Sequence, residues 1–176
     1  MKNIVLLGFM GTGKSAVGRA LAKELKYRFV DTDQRVEEKS GKKIAELFTE
    51  NGEAYFRELE SQAVQEAAQQ GACVISTGGG AILNPKNLEA LRRNGFLVLL
   101  ESDPEVILKR VQKRAGQRPL LKGSDPLAEI TRLLEERAPY YRCADFTVNT
   151  SYLQVEEVTR AIKKKVLEIE GRENTR

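Results

Sequence analysis

Three residue types that often carry chemistry are scarce or missing. The chain contains no histidine, no tryptophan and two cysteines, Cys73 and Cys143. Without histidine, any proton transfer must use another side chain, such as a carboxylate. The cysteines lie far apart and lack the spacing of metal ligands, so we expect reduced thiols with no chemical role in a cytosolic protein.

Long hydrophobic runs are also missing. No run approaches the roughly 20 apolar residues that span a membrane, and IVLLGF at residues 4–9 gives way to glycines too early for a secretory leader. We therefore expect a soluble, cytoplasmic protein with no membrane partner.

Repeats, low-complexity segments and linkers are absent, so the 176 residues predict one domain, 1–176.

Charge of one sign does not dominate. The 29 Lys and Arg residues, against 25 Asp and Glu, give a net charge of +4 and are spread along the chain. This distribution favours a solvated surface with local cationic sites over a nucleic-acid-binding face. No coiled-coil pattern or exposed apolar seam is evident, so we expect a monomer.

Apolar and amphipathic segments alternate along the chain. Continuous apolar runs, typical of buried parallel strands, occupy 3–9, 73–78 and 96–102, and weaker strand candidates occupy 27–33 and 145–150. Helical patterns occupy 15–25, 34–70, 85–94, 104–114, 125–142 and 155–170. This alternation predicts an α/β three-layer sandwich with a five-stranded parallel sheet. Residues 34–70 hold more helix than one βαβ crossover needs, which predicts an inserted helical lobe. Residues 115–125 are typical of a mobile loop.

GFMGTGKS at residues 8–15 carries the strongest signal. It matches G-x-x-x-x-G-K-[ST], with an apolar strand before it and an amphipathic helix after it. Its glycines let consecutive N–H groups face phosphate oxygens at a helix N-terminus. Lys14 is expected to reach the β- and γ-phosphates, and Ser15 to hold Mg²⁺. The motif predicts nucleoside triphosphate binding but leaves open the acceptor, because GTPases, ATPase motors and small-molecule kinases share it.

Two further segments lie at predicted strand ends. FVDTD places Asp31 and Asp33 on one side of a strand, where one carboxylate could complete a Mg²⁺ shell and the other meet an acceptor hydroxyl; a helix N-cap and turn is the alternative. VISTGGG at 74–80 permits close approach of a ligand or another loop, or makes a tight turn. That strand carries no Walker B carboxylate, so Asp31 is the nearest candidate for the role.

Three arginines complete the set of candidates. Arg57 and Glu60 are spaced i, i+3 on a helix, so the carboxylate can hold the guanidinium. Arg137 precedes Pro139, which is expected to end its helix, and Arg118 lies in the mobile loop. A solvated surface position is the alternative for each, although guanidinium groups suit carboxylate and phosphate binding.

GFMGTGKS, FVDTD, AYFRELE, STGGG, RPLL and ERAPYYR occur in one order along nearly the whole chain. Over residues of about 3–160 this set resembles the shikimate kinase family. The resemblance implies a P-loop fold like that of nucleoside monophosphate kinases, with a substrate-binding lobe at about 34–61 and a lid at about 112–125. It implies that the ATP γ-phosphoryl group passes to the 3-hydroxyl of shikimate, giving shikimate 3-phosphate and ADP, in chorismate and aromatic amino acid biosynthesis.

The resemblance also implies roles for single residues. Asp33 would bind the acceptor hydroxyl and act as base or orienter, Asp31 would support Mg²⁺ with Ser15, and Phe48 and Phe56 would wall the shikimate ring. The implied catalytic residues are Lys14, Asp33 and Arg118, and the implied shikimate ligands are Asp33, Arg57, Gly79 and Arg137. The implied nucleotide contacts are Gly11, Thr12, Gly13, Lys14, Ser15, Ala16, Arg110 and Arg118.

One segment departs from the family pattern, and other acceptors stay open. NTSYLQ at 149–154 offers neither the arginine nor the proline with which relatives border the adenine. The alternatives are a kinase of the same fold for gluconate or a nucleoside monophosphate, or a nucleotide-dependent switch. A monophosphate would need a larger arginine cluster, and a neutral polyol would not need Arg57 and Arg137.

Overall fold

A computed structural model describes residues 2–113 and 125–173. Its strands are β1 (Asn3–Leu7), β2 (Arg28–Asp31), β3 (Cys73–Ser76), β4 (Gly95–Glu101) and β5 (Phe146–Asn149). Its α-helices are α1 (Lys14–Leu25), α2 (Thr32–Ser40), α3 (Ile44–Gln69), α4 (Pro85–Arg93), α5 (Pro104–Lys113), α6 (Pro126–Tyr141) and α7 (Val155–Glu173). A short 3₁₀ helix at Ala81–Leu83 precedes α4.

The five strands form one parallel sheet in the order β2-β3-β1-β4-β5. Alternate side chains of β1 enter two cores: Val5 and Leu7 pack on the face covered by α3 and α4, and Ile4 and Leu6 on the face covered by α1 and α7. Because both faces are covered, every residue of β1 is buried. The predicted five-stranded, three-layer α/β fold is confirmed.

The extra helix after β2 is divided between α2 and α3. Gly41, with φ of 68°, ends α2, and a kink at Gly52 (φ 82°, ψ 170°) divides α3. Phe48 and Phe56 lie on either side of this kink, and their ring centroids are 4.8 Å apart. The predicted helical lobe therefore contains a bent helix that brings two aromatic rings together.

The expectation that Pro139 ends its helix was wrong. The helix α6 continues through Pro139 to Tyr141. Proline lacks the N–H that would bond four residues back, but its fixed φ is helical, so a helix can run two residues past it. The predicted mobile loop, most of the lid and Arg118 lie outside the described residues. Among the helices that the structure describes, none has the length and apolar character required to cross a bilayer.

Candidate active site

Residues 8–15, which join β1 to α1 and include the first two residues of α1, are called the phosphate loop below. It follows a buried strand and leads directly into a helix, as its sequence predicts. A side chain at Gly8 would place its Cβ 2.3 Å from the carbonyl oxygen of Leu100, so the loop needs glycine there. Lys14 is 9% exposed and donates to the carbonyl oxygens of Gly8 and Phe9, each at 2.8 Å. The lysine thus lies folded along its own loop, beside the cavity.

Asp31 joins the end of β2 to the phosphate loop. Ser15 donates its hydroxyl to Asp31 Oδ2 at 2.7 Å. The other carboxylate oxygen, Oδ1, accepts from the backbone N–H groups of Asp33 at 3.1 Å and Gln34 at 3.4 Å, which caps α2. The helix-cap interpretation is confirmed, and it is compatible with the Mg²⁺ interpretation because the other oxygen accepts from Ser15, the predicted Mg²⁺ ligand.

Asp33 and Glu60 converge on the glycine turn after β3. A Cβ at Gly78 would lie 2.6 Å from Asp33 Oδ1 and 2.4 Å from Glu60 Oε1. The Gly78 N–H donates to Thr32 Oγ1 at 3.0 Å, which fixes the turn against α2. Gly78 does not have a positive φ. Glycine is therefore needed here because the carboxylates of Asp33 and Glu60 approach its Cα too closely for a side chain.

Arg57 is held by two carboxylates from its own helix. Its guanidinium pairs with Glu60 at 2.7 Å and with Glu53 at 3.0 Å, and it lies 5.3 Å from the ring centroid of Phe56. Glu60 is 2% exposed. Burial raises the pKa of Glu60, while the guanidinium groups of Arg57 and Arg137 act to lower it. The predicted Arg57–Glu60 contact is confirmed.

Arg137 lies across the cavity from α3. It is 7% exposed, lies 5.1 Å from the ring centroid of Phe9, and donates to the carbonyl oxygen of Gly79 at 3.2 Å. Tyr141 donates to the same carbonyl at 3.1 Å. Within the described ranges, no carboxylate lies within ion-pair distance of Arg137, so a buried guanidinium faces the cavity without a direct ionic partner.

A cavity of about 640 Å³ joins these groups at the carboxyl edge of the sheet. It runs from the phosphate loop to the aromatic pair of the lobe. Of the predicted site residues, the following line it: Gly11, Gly13, Lys14, Ser15, Asp31, Asp33, Phe48, Phe56, Arg57, Gly79 and Arg137. The predicted nucleotide contacts Thr12, Ala16 and Arg110 are not among its lining residues.

Sequence reasoning missed several contributors to this site. Glu37 and Lys43 form an ion pair at 2.8 Å on the cavity wall, and the Glu37 carboxylate also accepts from the N–H of Ile44 at the start of α3. Tyr141 supports Gly79 from α6. The i, i+4 spacing of Arg137 and Tyr141 on one helix face was a usable signal, whereas nothing local marks Glu37.

Comparison with known proteins decides the family. The family model described as Shikimate kinase matches residues 10–167. The chain belongs to the shikimate kinase family. A curated shikimate kinase of Caldanaerobacter subterraneus subsp. tengcongensis is 48% identical over 172 residues, which cover 98% of this chain and 100% of the relative.

Solved structures agree with this family. A shikimate kinase from Acinetobacter baumannii, in complex with shikimate, superposes with a TM-score of 0.91 at 36% identity, covering 96% of this chain and 94% of that one. A gluconokinase from Sinorhizobium meliloti 1021 reaches a TM-score of 0.54 at 18% identity, covering 90% and 87%, and shares the fold alone. The predicted family, fold and kinase class are therefore confirmed, and the gluconate alternative is not favoured.

Proposed function

We propose that this member of the shikimate kinase family transfers the γ-phosphoryl group of ATP to the 3-hydroxyl of shikimate. One observation carries the proposal: the phosphate loop, the Asp33 carboxylate and two guanidinium groups face one cavity. A triphosphate at the loop and a carboxylate at Arg57 and Arg137 would place a ring hydroxyl between them, beside Asp33.

The reaction needs one bond to form and one to break. The acceptor oxygen bonds to the γ-phosphorus as the bond from that phosphorus to the β,γ-bridging oxygen breaks, and ADP leaves. Asp33 takes the proton of the acceptor hydroxyl, a role that suits a carboxylate because the loose transition state asks little of the base. Lys14, released from the carbonyls of Gly8 and Phe9, stabilises the charge that develops on the phosphates.

The carboxylate of shikimate suits Arg137 because this arginine lacks an ionic partner in the described part of the chain. Arg57 is already held by Glu53 and Glu60, so it contributes a fixed guanidinium edge. Both lone-pair directions of the Gly79 carbonyl are engaged by Arg137 and Tyr141. The Gly79 N–H is therefore the backbone group that would meet a ring hydroxyl, and Phe48 and Phe56 would wall the ring.

The residues near the phosphate loop fit Mg²⁺. Ser15 and Asp31 offer oxygen ligands 2.7 Å apart. Among the described residues, no cluster of three or more acidic or thiol groups could hold a metal by itself, which agrees with an ion bound through one or two protein oxygens, water and phosphate. Bound Mg²⁺ would neutralise charge on the β- and γ-phosphates.

We further propose that Arg110 and Arg118 contact the nucleotide. We also propose that the protein is a cytoplasmic monomer with a substrate lobe at about 34–61 and a lid at about 112–125.

A coupled ADP-release assay with ATP and Mg²⁺ tests the proposal. The acceptors are none, shikimate, gluconate and AMP, and Lys14→Ala is the inactive reference. We expect turnover with shikimate alone. Turnover with gluconate or AMP but none with shikimate would retain the nucleotide site and overturn the substrate roles, and an active Lys14→Ala chain would overturn the phosphate loop assignment.

A further inference from the structure

The rear of the phosphate loop is held by the segment that follows β5. Thr150 is 3% exposed, and its hydroxyl lies 3.0 Å from the carbonyl oxygen of Thr12 and 3.0 Å from that of Glu101, at the end of β4. The two threonines are 138 positions apart. The hydroxyl therefore connects the phosphate loop to the far half of the sheet.

Arg110 fixes the orientation of that hydroxyl. Its Nη1 donates to Thr150 Oγ1 at 3.1 Å and to the carbonyl oxygen of Gly11 at 3.3 Å, and its Nη2 donates to the carbonyl oxygen of Thr150 at 2.6 Å. Since a guanidinium only donates, Thr150 Oγ1 accepts from it. The single hydroxyl hydrogen is left for the carbonyls of Thr12 and Glu101.

These contacts determine where the N–H groups of the loop point. In a trans peptide the C=O and the following N–H point in opposite directions. Holding the carbonyls of Gly11 and Thr12 at the rear therefore turns the N–H groups of Thr12 and Gly13 away from Thr150 and Arg110. Gly11 and Gly13 line the cavity. Such preoriented N–H groups are what a phosphate loop needs to bind oxyanions.

We propose that Thr150 is a positioning residue for the nucleotide, acting through the Thr12 carbonyl to hold the phosphate loop in its anion-binding conformation. The inference rests on the proposed function, because it assumes that this loop receives the phosphates of ATP. It assigns no contact between Thr150 and either substrate. A purely structural role, in which the hydroxyl only joins the end of β5 to Glu101 of β4, is the competing explanation.

Three variants separate the two explanations. Thr150→Val keeps the shape and removes the hydroxyl, and Thr150→Ser restores it. Thr159→Val is the matched control, because Thr159 is also buried but donates only to the carbonyl of Val155 in its own helix, at 2.7 Å. ADP and shikimate affinities are measured by calorimetry on each full chain, together with the unfolding midpoint and the KM for ATP.

We expect Thr150→Val to weaken ADP binding about tenfold, equivalent to about 1.4 kcal/mol, and to raise the KM for ATP in parallel. Shikimate affinity should stay within about twofold, since hydrogen-bond energies of this size act locally. Thr150→Ser should recover ADP affinity to within about threefold, and Thr159→Val should change neither affinity. Should the valine chain fail to fold, Thr150→Ala takes its place under the same criteria.

Three results would overturn the proposal: unchanged ADP affinity in the valine chain, equal weakening of ADP and shikimate, or no recovery with serine. Failure of the proposed function would look different, because the unsubstituted chain would then bind ADP without shikimate turnover, or would not bind ADP. The comparison among Thr150 variants needs only ADP binding, so it stands apart from the identity of the acceptor.

Discussion

The two arginines of the cavity differ in their ionic partners. Arg57 has both Glu53 and Glu60 as ionic partners, whereas Arg137 has none among the described residues although it is buried. A buried guanidinium without a direct ion pair is costly, and an anionic ligand would relieve that cost. At the scale of single residues, the site is therefore built to gain most from a carboxylate at Arg137.

Asp33 is the group proposed to take the proton of the acceptor hydroxyl. Asp33→Asn keeps the size of the side chain and removes its ability to take a proton. We expect ADP affinity within about twofold of the original and kcat lower by about 100-fold or more, as is usual for removal of a positioned base. Single-turnover kinetics with calorimetry for ADP check both values, and unchanged kcat would rule out the role.

Gly78 should be sensitive because its missing side chain makes room for Asp33 and Glu60. In Gly78→Ala the new Cβ would push the flexible ends of both carboxylates, so we expect little loss of stability but a kcat lower by about 100-fold, the usual effect of misplacing groups by about 1 Å. Steady-state kinetics and thermal unfolding measure the two effects. Gly71→Ala is the control, since a Cβ there meets nothing within 4 Å. Equal kinetics in the two variants would contradict this.

Glu60 should give substrate binding an acid limit. Burial raises the pKa of Glu60 above its ordinary value of 4.5. As pH falls through that raised pKa, the carboxylate takes a proton, its ion pair with Arg57 is lost, and shikimate affinity should fall at a pH above 4.5. Calorimetry across the acidic and neutral range measures this.

In Glu60→Gln this part of the pH dependence should disappear, leaving the titrations that both chains share. Glu89→Gln, which breaks an exposed pair with Arg93, should keep the original profile. An unchanged acid limit in the Glu60→Gln chain would assign the titration to another group.

At the scale of elements, the kink in α3 determines the shape of the substrate lobe. Gly52 has φ of 82° and ψ of 170°, a region that is essentially limited to glycine. A Cβ there would meet no atom within 4 Å, so backbone strain alone demands glycine. Without the kink, Phe48 and Phe56 could not keep their present arrangement on the cavity wall.

Gly52→Ala should therefore cost about 1–3 kcal/mol of unfolding free energy through backbone strain. If the chain relieves the strain by straightening α3, the aromatic pair shifts, so we expect the KM for shikimate to rise several-fold while ADP affinity stays the same. Chemical denaturation and steady-state kinetics measure the two effects. Gly171→Ala, also within a helix and with no atom near its new Cβ, is the control, and an unaltered Gly52→Ala chain would contradict the strain argument.

The elements were predictable to the extent that their signals are local. The strand, glycine loop and helix of residues 3–25 follow from consecutive residues, and so does the pairing of Arg57 with Glu60 one helical turn away. The contact of Thr150 with Thr12 was not predictable, because a hydroxyl meets a backbone carbonyl that any residue could supply. The expectation that Pro139 ends its helix was wrong, although the helical pattern over 125–142 ran past it, since proline tolerates a helical φ near a C-terminus.

At the scale of the whole molecule, the cavity is shared by parts of the chain that are distant in sequence. The phosphate loop, the lobe of α2 and α3, and Arg137 of α6 each supply one wall. A ligand bound in this cavity contacts distant parts of the chain and should stabilise the entire fold. Shikimate at 100 times its Kd would add about 2.7 kcal/mol to the free energy of unfolding.

For a chain of this size that gain corresponds to a rise of roughly 5–10 °C in Tm. Thermal unfolding with and without shikimate measures it. Arg137→Met should lose most of the shikimate-dependent rise while keeping that caused by ADP. A rise of equal size in the variant would remove Arg137 from the substrate site.

The position of β1 in the sheet has a consequence for the order in which the protein can form during its synthesis. Of the five strands, β1 leaves the ribosome before the others, yet it is the middle strand, and its two neighbours are β3 and β4. Both edges of β1 therefore cannot be fully paired until residues up to Leu99 have emerged. Pairings between segments so distant in sequence form slowly. The phosphate loop that follows β1 therefore cannot be held by a complete sheet until β4 has been translated.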